Sequence, residues 1–93
     1  MGKKTYFEFL EEEFQVLASS LQSNLSVIAA DDSYDYNPEK VSAVSSAKTQ
    51  LARCQAVLRQ LLAESRSDRD FRDRANLYRI QLDALRTEYQ RHE

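Results

Sequence analysis

Apolar residues recur along the chain at alternating spacings of three and four, the repeat that gathers side chains on one face of an α-helix. The first run is Phe7, Leu10, Phe14, Leu17, Leu21, Leu25 and Ile28, with Asn24 beside it. It predicts a helix over residues 5–30. The period stops at Ala29-Ala30, and Asp31-Asp32-Ser33-Tyr34-Asp35-Tyr36-Asn37 follows, an acidic run of turn formers that reads as a loop. Asn37-Pro38-Glu39 is a helix start: Asn caps, Pro fits the first helical position, and Glu suits the positive end. Val41, Val44, Ala47, Leu51, Cys54, Leu58 and Leu61, widened by Leu62, then predict a second helix over 38–65. Arg66-Ser67-Asp68-Arg69-Asp70 interrupts the stripe, and Ser67 and Asp70 have the spacing of a capping box. Phe71, Ala75, Tyr78, Leu82, Leu85 and Tyr89 predict a third helix over 68–91, closed by the basic pair Arg91-His92.

Three amphipathic helices joined by short loops predict an all-α fold. The expected architecture is an antiparallel, up-down-up three-helix bundle, one domain over residues 1–93. Phe14, Leu17, Leu21, Leu51, Leu58, Tyr78, Leu82 and Leu85 are expected to be among the most buried. The seams of the three helices together supply enough large apolar side chains for a marginally stable monomer in isolation.

Composition sharpens this by exclusion. One Gly and one Pro in 93 residues are too few for the turns of a β-sandwich or barrel, or for a glycine-rich phosphate loop. One Cys and one His build neither a disulfide framework nor a zinc site. The net charge of −2 lacks the basic surplus of nucleic-acid modules. Charge is nonetheless uneven: residues 1–37 carry two Lys against seven acids, while residues 38–65 carry four bases against two acids. No run approaches the ~20 apolar residues of a membrane span. No apolar leader follows Met1, and Tyr6 stands where a myristoylation signal has Ser or Thr. With an unpaired Cys54, a reducing, cytosol-facing setting is expected, and the sequon Asn24-Leu25-Ser26 is read as incidental.

Candidate chemistry is sparse. Cys54 lies on the second seam, far in sequence from His92, and is expected to pack rather than react. Glu8, Glu11, Glu12 and Glu13 fan out around a helix and read as a solvated face. Asp31, Asp32 and Asp35 lack the Gly and closing Glu of a calcium loop. No catalytic, cofactor-binding or metal-ligating residue is assigned, and the chain is not expected to be an enzyme. In the third helix, acids interleave with arginines, and Arg69 with Asp73 and Asp70 with Arg74 have the spacing of intrahelical pairs, so a solvated, salt-bridged face is expected; the alternative is an anionic partner docking on the unpaired Arg79–Arg86 stretch. More informative are apolar residues off the seams: Phe9, Val16 and Val27 in the first helix, and Leu77, Ile80 and Ala84 in the third. A bundle core does not need them. Phe9, Val16, Leu77, Arg79 and Ile80 are therefore the candidate partner-binding residues.

The order of features resembles a known family. Tyr6-Phe7-Glu8-Phe9-Leu10-Glu11-Glu12-Glu13-Phe14 resembles the aromatic and acidic opening of Vti-type Qb-SNAREs. The second-helix run from Ala47 to Leu61 looks like that family's Leu- and Gln-rich segment. Arg74, Tyr78-Arg79-Ile80-Gln81-Leu82 and Leu85 resemble its third-helix pattern. The likeness spans about residues 6–91. It implies the N-terminal, Habc-like domain of a Vti-type SNARE; the acidic loop with Tyr34 and Tyr36 departs from the family, and neither a SNARE motif nor a membrane anchor is present in these residues. By the same resemblance, the domain would work in vesicle transport and membrane fusion among Golgi, endosome and lysosome or vacuole, on their cytoplasmic face. Its partners would be SNARE proteins, ENTH-type adaptors or tethering factors, with no nucleic acid, no cofactor and no membrane insertion by this segment. The competing expectation is a structural helical subunit of a larger assembly.

Overall fold

The structure, a computed structural model, describes residues 4–30 and 38–92. The described residues form three α-helices: α1 (Tyr6–Ala30), α2 (Pro38–Glu64) and α3 (Arg69–Gln90). All three pack on one another as the bundle expected from the seams, α1 most closely on α2. The expected loop and its cap Asn37 lie outside the described residues.

Local signals account for the described ends. Thr5 and Glu8 form a capping box that the apolar pattern alone did not reveal. The Thr5 hydroxyl accepts from the Glu8 amide at 3.1 Å, and the Glu8 carboxylate accepts from the Thr5 amide at 3.4 Å. At α3 the cap is Asp68 rather than Ser67. The Asp68 backbone is extended, and its carboxylate accepts from Phe71 N at 3.2 Å, so the three-residue spacing runs from Asp68 to Phe71. Buried Ser65 turns the chain between α2 and α3, its hydroxyl donating to the Leu62 carbonyl at 2.8 Å.

Side-chain contacts fix the directions. The Tyr6 hydroxyl donates to Gln60 Oε1 at 3.1 Å and the Asn24 amide to Gln50 Oε1 at 2.7 Å, so α1 and α2 run antiparallel. Asn24 is thus committed to the α1/α2 contact. Phe7 stacks on Phe71 with ring centroids 4.2 Å apart, and Phe14 meets Tyr78 at 5.0 Å, so α1 and α3 run parallel.

Buried positions on α1 are Phe7, Glu11, Phe14, Ala18, Leu21, Leu25 and Ile28, alternating by four and three, with Leu10 buried on one flank. On α3 the same alternation runs from partly buried Phe71 through Ala75, Tyr78, Leu82 and Leu85 to Tyr89. Such a 3.5-residue repeat keeps one seam facing its neighbours along the whole helix. The seam is therefore rotated slightly from the expected stripe. Leu17 is only partly buried, because the central line passes through Glu11 and Ala18 and leaves Leu17 at the edge toward α2. Tyr78 is partly buried too, since its hydroxyl reaches polar groups at the rim.

On α2 the seam enters through Ala43, not Val41, which is 52% exposed; Val44 is only partly buried. The helices differ in length, with 27 residues in α2 against 22 in α3. Five residues at 1.5 Å each leave α3 about 7.5 Å short. The first turns of α2 then lack α3 beside them, so Val41 stays exposed and Val44 is covered only in part.

Candidate functional site

The side-chain chemistry of the bundle concentrates where α1 meets α3. Glu11 is buried, against the expectation of a solvated acidic face, because it stands four residues after Phe7 and three before Phe14 on the seam. Its Oε2 accepts from Arg74 Nε at 3.1 Å and from the Tyr78 hydroxyl at 2.7 Å, and Oε1 forms an ion pair with Arg74. Gln15 donates to the Tyr78 hydroxyl at 3.1 Å, and Asp70 accepts from Arg74 at 3.1 Å, the four-spaced pair expected within α3. The Arg74 guanidinium lies over the Phe7 and Phe71 rings, 5.2 and 5.4 Å from their centroids. Hydrogen bonding to Glu11 pushes the Arg74 pKa up, and burial, with the bond to Glu11, does the same for Tyr78. Among the described residues no buried side-chain nitrogen or oxygen lacks a partner, so this cluster is a clasp between helices. The sequence carries one partial signal for it: Arg74 stands beside the α3 seam, four residues before Tyr78, but its pairing with Glu11 shows only when α1 and α3 are brought together.

Cys54 is buried and free, as its seam position implied, and burial pushes its thiol up to about 11. Thiol labelling is accordingly expected to be slow in the native protein and fast in denaturant; equal rates would place Cys54 at the surface. The shift also sets an alkaline limit. Unfolded Cys loses its proton near 9 while the folded thiol holds it to about 11, so the folded state binds more protons in that window. Stability from this group is complete below pH 9 and declines through pH 11, by on the order of 2 kcal/mol. Urea melts of wild type and Cys54→Ala at pH 8 and 10.5 check this; the substitution should flatten the decline.

Among the described residues, no group of His, Cys, Asp and Glu could hold a metal ion, and no helix is long and apolar enough to cross a membrane. Asp31, Asp32 and Asp35 lie outside the described residues.

The candidate partner residues all lie in water. Phe9 is 57% exposed, Val16 67%, Leu77 66% and Ile80 61%, and Arg79 is exposed. At ~100° per residue, Phe9, Val16 and Val27 fall within about 20° of one line along α1. Beside Val16, a shallow depression of about 550 Å³ is bordered by Glu12, Gln15, Ser19 and Ser20. The α1 residues that reach α3 (Phe7, Glu11 and Gln15) lie roughly 120–160° around from that line. The α1 line and the outer line of Leu77, Ile80 and Ala84 on α3 are therefore separate faces. Arg79 does not share the Leu77 and Ile80 line. It lies seven residues from Arg72 and from Arg86, on the flank of α3 that turns toward α2.

No protein-family model, curated protein or solved structure matches this chain.

Proposed function

We propose that this chain is a helical recognition domain akin to the N-terminal domain of Vti-type SNAREs, serving vesicle transport and fusion on the cytoplasmic face of endomembranes. The supporting observation is the pair Leu77 and Ile80, two large aliphatic side chains about two-thirds exposed on a helix whose seam is already filled by Leu82, Leu85 and Tyr89. Apolar area held outside a completed core favours a partner that covers it. Function is then face-to-face docking, with no bond made or broken. Partners in this reading are SNARE proteins, ENTH-type adaptors and tethering factors.

The test is Ile80→Asp, titrated against a panel of purified ENTH-type domains and SNARE partners beside a thermal melt. The wild type should bind at least one panel member, and the variant should bind it about tenfold or more weakly, some 1.4 kcal/mol, with its melt unchanged. Unchanged affinity with an unchanged melt removes the α3 outer face as the site. No binding to any panel member sinks the vesicle-transport reading.

A further inference from the structure

A second surface lies between α2 and α3. Leu58, Leu62 and Leu82 floor a groove of about 270 Å³, with Arg59 on the α2 rim and Asp83 and Arg86 on the α3 rim. Leu58 and Leu82 belong to the core, but Leu62 is 38% exposed, so the floor is open to an apolar side chain. Arg86 lines the groove, and Arg79 and Arg72 precede it at seven-residue intervals on the same side of α3, all three exposed. Neighbours in that row are about 10.5 Å apart along the helix, a row of about 21 Å. None of the three, nor Arg59, takes part in an ion pair among the described residues. Asp83 is the single acid among the groove's lining residues.

From this we propose that the α2/α3 groove seats an acidic amphipathic helix of a separate protein. Leucines of that helix enter over Leu62, and its glutamates, repeating every seven residues, meet the arginine row. Heptad-spaced arginines beside exposed Leu62 resemble the charged flank that one helix of a coiled coil offers a partner of opposite charge. The Arg forks also suit carboxylates geometrically. Opposed to self-association is the α1 surface, whose Glu8, Glu12 and Glu13 carry no heptad row that would match. This groove is distinct from the outer faces, and its occupant does not depend on the vesicle-transport reading.

The probe is a labelled synthetic 21-residue helix with Leu at core heptad positions and Glu at the flanking ones, followed by fluorescence anisotropy. A second probe replaces each Glu by Lys. The Glu helix should bind saturably and weaken about tenfold or more on raising salt, in Arg79→Glu/Arg86→Glu, and in Leu62→Asp. Ile80→Asp should leave it unchanged. The Lys helix should bind at least tenfold more weakly to wild type and recover on the charge-reversed variant, a rescue that a folding defect cannot produce. Should charge reversal disturb the melt, Arg79→Gln/Arg86→Gln carries the same comparison. Equal affinity for both helices, or no binding of either, overturns the proposal. So does binding of anionic vesicles through these arginines with no helix bound, which would make the row a membrane contact.

Discussion

Phe14→Ala should remove a large share of the stability of the bundle, about 3–5 kcal/mol. Phe14 is fully buried at the centre of the α1 seam, and its ring meets Tyr78 of α3. Deleting it opens a void that three rigid helices cannot close by small shifts. Small domains have only about 5–15 kcal/mol of stability in total. At about 4–8 °C per kcal/mol, the melting temperature should fall by more than about 12 °C. Phe9→Ala provides the contrast: the same residue type, five positions earlier and 57% exposed, should move stability by no more than about 0.5 kcal/mol. Urea melts of the two variants decide the point, since similar losses would mean that the helix is rotated from its assigned face.

Glu11→Ala comes next, at about 1–3 kcal/mol. It strips the Arg74 guanidinium of its seam partner and the Tyr78 hydroxyl of its acceptor. Breaking a fully buried ion pair costs about 3–5 kcal/mol. The smaller figure applies because the Arg74 side chain is 36% exposed, and water takes up part of its charge. Arg74→Leu should cost a similar amount by stranding Glu11. In a cycle of Glu11→Leu, Arg74→Leu and the two together, the double variant should recover part of what the single leucine variants lose, because two apolar side chains can meet where the ions did. A coupling of about 1 kcal/mol or more in urea melts is expected. Strict additivity of the single variants would show that Glu11 and Arg74 do not act as a unit.

The helices were legible because each seam keeps a strict apolar repeat, and their ends fall within a residue of the expected 5–30, 38–65 and 68–91. Exposure of Phe9, Val16, Leu77 and Ile80 was legible for the same reason, since residues off the repeat have no neighbour to cover them. What the pattern hid was of two kinds. Glu11 and Ala18 occupy seam positions without being large and apolar, so a search for large hydrophobes passes to Leu10 and Leu17 beside them. A buried carboxylate becomes legible only once Arg74 and Tyr78 are known to face it across helices 63 residues apart in sequence. The second kind concerns relations between helices. Val41 carries the right chemistry for a core, yet its exposure depends on where α3 ends, which is a property of two helices together. The α2/α3 groove likewise arises from bringing Leu62 beside a row of arginines whose heptad spacing has no meaning on α3 alone.

Under the proposed function, the outer faces of α1 and α3 serve recognition and not folding. Its most direct test is one protein bearing Phe9→Ser, Val16→Ser, Leu77→Ser and Ile80→Ser, compared with wild type in thermal melts and in titration with a bound panel partner. The expected result is a cooperative melt with a stability loss of no more than about 2 kcal/mol, because the four exposed substitutions cost about 0.5 kcal/mol or less each, together with loss of binding. A collapsed melt would make these residues part of the core. Full binding on an intact fold would show that recognition lies elsewhere on the bundle.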